Sequence, residues 1–419
     1  MMSAPTLENP HAPTSAAQHI AIVDGLRGLA ILLVVLFHYW QITWWVIPVP
    51  FTGGTINFEM IQYAGALGVE LFFFLSAFCL AYPHAKVMQG KGSLPSIAHY
   101  TYRRAIKILP SYWLAMLLLL VLLPEMYPTS SQRGYWTDIL MHLGFVHNLF
   151  PDTHGSINGV FWSLGVEVQF YLIFPLLAWG FRRKPWLVFT LMCAVALIYR
   201  HWTRTLPIGE FTNLNNQLPG FLDLFAGGML TAYLLVWVRE QGQSAISAVK
   251  SGMGVIVALA LLTMLLLFND LYQIRFEPDS YPIWQSQHRL FFCFVLIALT
   301  VAATYAHAIF RTILANRALT FLSLISYNLY IWHQVIARVI KEHGWWTAAT
   351  PTPTDDPTWR WTMFFIAFIA SIIVASLITY CFERPLLQYG VKGSWARLKA
   401  KMAGYMAEDQ SGVELKGNT

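Results

Sequence analysis

Apolar residues in this chain gather into long runs rather than alternating, and the runs recur from residue 26 to residue 382. A helix needs about 20 mostly apolar residues to cross a bilayer. A window of that length places spans near 26–47, 64–83, 108–124, 158–180 and 186–202, then near 217–238, 251–269, 287–306, 319–340 and 361–382. The weaker stretch 136–150 is amphipathic and reads as a half-helix lying against the bundle. No soluble block interrupts the runs, and no internal repeat of the transporter kind is visible. The expected fold is an all-α integral membrane bundle of about ten transmembrane helices. It forms one unit over residues 24–385, with a polar tail over 1–23 and a basic tail over 386–419.

Composition strengthens this reading. Only 11% of the residues are charged, against about 25% in soluble domains, while 56% are apolar and 15% aromatic. So few charges cannot cover the outside of a soluble core of that size. The four cysteines, Cys79, Cys193, Cys293 and Cys381, lie in apolar runs without a CxxC pair, so neither a disulfide framework nor a metal site is expected. The first 20 residues contain three prolines and no Lys or Arg, so a cleaved signal peptide is not expected either.

Charge sets the expected orientation. With the N-terminus in the cytosol, ten spans return the C-terminus there. Most of the 27 basic residues then face the cytosol, including Arg27, the run Lys86 to Lys107, Arg182-Arg183-Lys184 and the tail from Arg384. This is the positive-inside pattern, and it accounts for the net charge of +6 without a nucleic-acid partner.

Titratable side chains inside a span are costly and ask for a reason. His38, Glu70, Glu167 and His333 fall in four different spans. At about 1.5 Å of rise per residue they lie about 18, 21, 16 and 21 Å from the cytosolic face, in a core about 30 Å thick. A polar cavity near the midplane is the expected arrangement. Arg27 precedes His38 by about 16 Å on the same helix, at the cytosolic mouth, where Arg103, Arg104 and Lys107 open the third span. Arg and Lys at such a mouth suit phosphate oxygens. A phosphorylated cofactor with a long arm, such as coenzyme A, would use both layers.

Six segments, in order, resemble the acyltransferase-3 family of membrane O-acyltransferases. Asp24-Gly25-Leu26-Arg27-Gly28 followed by His38 is similar to its Arg-x10-His opening. Gly68-Val69-Glu70-Leu71-Phe72-Phe73 through Ser76-Ala77-Phe78 resembles its second-span signature, with Ala77 where Gly is usual. Arg103-Arg104-Ala105-Ile106-Lys107 resembles its basic motif, with Lys107 in place of a second Arg. Trp162-Ser163-Leu164-Gly165-Val166-Glu167 through Tyr171, Ser326-Tyr327-Asn328-Leu329-Tyr330-Ile331-Trp332-His333 and Glu383-Arg384-Pro385 complete the series. The resemblance implies ten core helices and transfer of an acyl group, commonly acetyl, from a CoA thioester to a hydroxyl, usually on a glycan. No fused esterase-like domain is expected after Pro385. Transfer would be completed by the membrane domain or handed to a separate extracytoplasmic partner, at a bacterial inner membrane.

The expected roles follow. His38 is the general base, since a neutral imidazole at pH 7 accepts a hydroxyl proton. Glu70 or Glu167 orients its other nitrogen. An acyl-histidine intermediate is the competing version. Arg27, Arg103, Arg104 and Lys107 hold the acetyl-CoA phosphates, and Trp162, Ser163, Tyr171 and His333 contact the acceptor. Two further patterns are weaker. His147 to Asp152 spells His-x4-Asp, a chance match in an outer loop, and Asp223 is a buried acid near the outer face. The rival reading is a proton-coupled transporter, whose relay would also place His and Glu at the midplane. It leaves the basic mouth without a role.

Overall fold

The computed structural model describes residues 20–47, 58–124, 134–241, 243–344 and 346–395. Most of the two expected tails therefore lies outside the described residues. Residues 384–395 are helical, no strand is seen among the described residues, and fourteen further α-helices are bounded within them. They are α1 (Ala21–Thr43), α2 (Glu59–Tyr63), α3 (Gly68–Met88), α4 (Ile97–Leu122), α5 (Tyr135–Leu143), α6 (Phe161–Arg183) and α7 (Pro185–Thr203). There follow α8 (Ile208–Asn215), α9 (Leu222–Glu240), α10 (Gln243–Gln273), α11 (Ser280–Tyr305), α12 (Ala308–Leu314), α13 (Arg317–Glu342) and α14 (Pro357–Ile378).

Nine of the described helical segments are long and apolar enough to cross a membrane. The ninth expected span, 319–340, is helical but passes only together with α12, from which it bends by 46°. The reason lies in its side chains: α13 buries Ser323, Ser326, Asn328 and His333, so polarity turned inward lowers its hydropathy. The stretch 136–150 is no span; it is the nine-residue α5 followed by a turn and a short 3₁₀ segment.

Helix ends follow local chemistry. Ser96 caps α4 by accepting the His99 amide at 3.2 Å, well before the expected start at 108, so Arg103, Arg104 and Lys107 ride on a helix. Asn316 caps α13 at Leu319 N (2.9 Å), and Asp356 caps α14 at Thr358 N (2.9 Å). α14 passes into a π-helical turn at Thr379–Glu383, an uncommon element that often marks a functional site.

At the centre α3 packs against α9, and α1 against α13, which also contacts α14. Lipid tails are as apolar as Leu, so close backbone approach replaces the hydrophobic drive. A Cβ at Gly28 would collide with the carbonyl oxygen of Leu319, and one at Gly228 with that of Phe74. The span window of Glu59–Met88 is 83% buried, whereas those of α7 and α10 are 28% buried. Leu172, Leu176 and Ile198 face outward from the outer helices, as a lipid-facing surface requires. Cys193 and Cys293 are buried, Cys79 is half-buried and Cys381 is exposed; all four are free thiols.

Candidate active site

Two adjoining cavities penetrate the bundle. The larger, about 330 Å³, is lined by Arg27 of α1, by Arg103, Arg104 and Lys107 of α4, and by Glu167 and Tyr171 of α6. Arg27 Nη2 lies 3.2 Å from Cys79 Sγ. The guanidinium of Arg104 sits 5.8 Å above the Tyr171 ring. Glu167 Oε1 accepts from Ser76 Oγ at 2.7 Å and from Tyr171 Oη at 2.5 Å, a cross-helix knot on the cavity wall. Lys107 is paired with Glu383, whose other oxygen accepts from Asn328 Nδ2 at 2.7 Å. The π-helical turn thus carries a buried carboxylate to the basic cluster. Four cationic groups facing one cavity can take an anion, with the guanidinium forks suited to phosphate oxygens.

The second cavity, about 190 Å³, is lined by His38, Glu70, Trp162, Asn216, Tyr281 and Gln285, among others. Behind His38 stands His333, fully buried and lining neither cavity. His333 Nδ1 lies 2.9 Å from Leu329 O and 2.8 Å from Tyr330 O. Carbonyls only accept, so Nδ1 carries the proton and Nε2 presents a lone pair. His38 Nδ1 lies 3.0 Å from that Nε2 and 3.0 Å from Val34 O, so it is the donor to both. The chain of bonds leaves the lone pair of neutral His38 on Nε2.

Glu70 shares the cavity with His38, but its Oε1 accepts from Arg289 Nε at 2.8 Å and Gln285 Nε2 at 3.0 Å. Neither Glu70 nor Glu167 is hydrogen-bonded to His38. The side chain hydrogen-bonded to His38 is instead His333, which was expected against the acceptor. The midplane layer is therefore split: Glu167 stands with Arg27, and Glu70 stands with His38. Trp162 lines the His38 cavity with its ring stacked on His154 (5.5 Å), while Ser163 and Tyr171 line the Arg27 cavity.

Asp223 pairs with Arg200 Nη2 at 2.7 Å, beside the Glu70–Arg289 pair, and is a structural contact. Two groups at this centre stand out little from the sequence: Arg289, an arginine within a span and so a group that had to find a partner, and Glu383, visible there only as part of a short motif. His147 and Asp152 line neither cavity. His147 is stacked on His142 at 4.0 Å, and burial, with His142 alongside, pulls its pKa down to about 3.

The sequence profile of the family described as an acyltransferase domain, acyltransferase-3, matches residues 20–380. The chain belongs to the acyltransferase-3 family. It is thus a multi-pass membrane acyltransferase. Among named relatives, the peptidoglycan O-acetyltransferase OatA of Listeria monocytogenes is 21% identical over 394 residues, covering 89% of this chain and 56% of the relative. A Staphylococcus aureus (strain COL) protein named as an O-acetyltransferase is also 21% identical, over 90% of this chain and 58% of its own length. A protein of Acidianus two-tailed virus named as an acetyltransferase is 24% identical, over 77% and 84%. This chain spans a little over half the length of the two bacterial relatives. No solved structure matches it.

Proposed function

We propose that this acyltransferase moves an acetyl group from acetyl-CoA to a hydroxyl of a glycan in the bacterial cell envelope, with His38 as general base. The observation that carries the reading is the placement of Arg27 and His38. They lie about 16 Å apart along α1, and each lines one of two adjoining cavities. A CoA molecule bound by its phosphates at Arg27, Arg103, Arg104 and Lys107 would extend its pantetheine arm toward His38. The acceptor would enter the second cavity, where His38, Thr212, Asn216 and Gln285 set polar groups into a mostly apolar wall and Trp162 offers a face to a sugar. Termini and basic mouth face the cytosol in this reading, at the inner membrane, because most of the basic residues gather at that end. The transferring unit is residues 24–385.

His38 Nε2 takes the acceptor hydroxyl proton while the oxygen attacks the thioester carbon. The tetrahedral adduct expels the CoA thiolate, which receives that proton as the ester forms. His333 keeps the tautomer of His38 correct throughout, and Glu70 stays with Arg289.

The test is transfer of label from radiolabelled acetyl-CoA into envelope glycans, in membranes holding wild type or His38→Ala at equal protein level. Incorporation by wild type that is lost in the variant is expected. Full incorporation by the variant overturns the base, and a substrate that is carried across unchanged, without CoA release, would mark a transporter.

A further inference from the structure

We propose that Tyr330 is a catalytic hydroxyl, donating its Oη–H to the oxyanion formed on the acyl carbonyl. The proposal rests on the acyl-transfer reading above and adds a residue to it. Val69 and Tyr330 line both cavities, and of the two only Tyr330 carries a polar side-chain atom. A thioester that comes from the Arg27 side and reacts beside His38 has to pass this partition.

The hydroxyl is held but not locked. Tyr330 Oη lies 2.6 Å from Ser163 Oγ and 3.3 Å from Val160 O, while Ser163 Oγ also reaches Val160 O at 3.1 Å. With Ser163 donating to Val160 O, the tyrosine proton can swing from Ser163 Oγ to an arriving carbonyl oxygen without stranding any group. Both residues are buried, so a donor there acts in a low-dielectric site, where it counts most. Tyr330 O also accepts from His333 Nδ1, so one turn of α13 carries both the oxyanion donor and the partner of the base. The guanidinium of Arg289 is already engaged by Glu70 and Asn215, and the cationic cluster lines the other cavity.

In the balanced step, the acceptor oxygen bonds to the thioester carbon and its proton goes to His38. The carbonyl π pair moves onto oxygen, where Tyr330 Oη–H meets it. On collapse the pair returns and the C–S bond breaks.

The experiment compares wild type and Tyr330→Phe, purified in detergent, by steady-state acetyl transfer, by CoA binding and by thermal unfolding. Tyr330→Phe should lower kcat about 10²-fold or more, with the KM for acetyl-CoA, the CoA affinity and the melting temperature close to wild type. Full kcat in Tyr330→Phe, or a loss confined to KM or to stability, overturns the proposal. Should wild type itself show no transfer from acetyl-CoA, the acyl-transfer reading fails first and takes this proposal with it.

Discussion

His333 shows what one buried side chain can do through another. Its Nδ1–H is pinned by two carbonyls of its own helix, and its Nε2 fixes which nitrogen of His38 is free to accept a proton. If His38 is the base proposed above, His333 is its positioning residue, and its loss should be felt in rate rather than in binding. His333→Ala should lower kcat about 10²-fold with CoA affinity retained, the scale on which small misplacements act. His333→Gln, whose amide oxygen can accept the same bond, should recover part of it. Equal kcat in wild type and His333→Ala, read by single-turnover transfer, would remove the role. The contributing residues were visible in the sequence as costly polar groups within spans. Their pairing was not, because 295 positions separate His38 from His333 and only helix packing joins them.

At the scale of elements, α1 carries both functional layers along one axis, and its neighbours set their surroundings. The spans could be read from the chain because a bilayer demands about 20 apolar residues from every crossing helix. α13 was the hardest to recognise, since it turns Ser, Asn and His toward the interior. Glu383 joins Lys107 only because the helix relaxes into a π turn, and no apolar periodicity signals such a change. The packing of α3 on α9 is equally specific. Gly228→Val should force these backbones apart and lower stability by about 1–3 kcal/mol, the usual cost of overpacking. Thermal unfolding in detergent measures this, and an unchanged melting temperature would show that the two helices separate freely.

Across the whole molecule, the described spans surround two adjoining cavities, with the basic groups on one and His38 on the other. The ion pairs Glu70–Arg289 and Arg200–Asp223 tie α3, α7, α9 and α11 together beside the second cavity. Overall stability should depend on pH through the segment between α5 and α6. Burial holds the His147 pKa at about 3, against an ordinary value of 6.5, so the unfolded chain binds the proton more readily. The stabilisation is complete above pH 6.5 and is lost progressively as pH falls from 6.5 toward 3. His154, also lowered by burial, acts in the same direction. Melting temperatures at pH 7.5 and 4.5 should therefore converge in His147→Gln relative to wild type. An equal acid loss in both proteins would assign the effect to other groups.

The approximate number and position of the spans and the cost of each buried charge follow from the chain alone, because the bilayer acts on every helix separately and asks a similar length and polarity of each. Ordered motifs added the chemistry of the family, and the spacing from Arg27 to His38 set the distance between two layers, since both ride on one rigid rod. Partner choice is another matter. That His38 leans on His333, that Glu70 answers Arg289, and that Tyr330 stands between two cavities were decided only by how the helices rotate and pack. Hydrogen bonds act over about 3 Å, and no local pattern tells a side chain which of the other helices will face it.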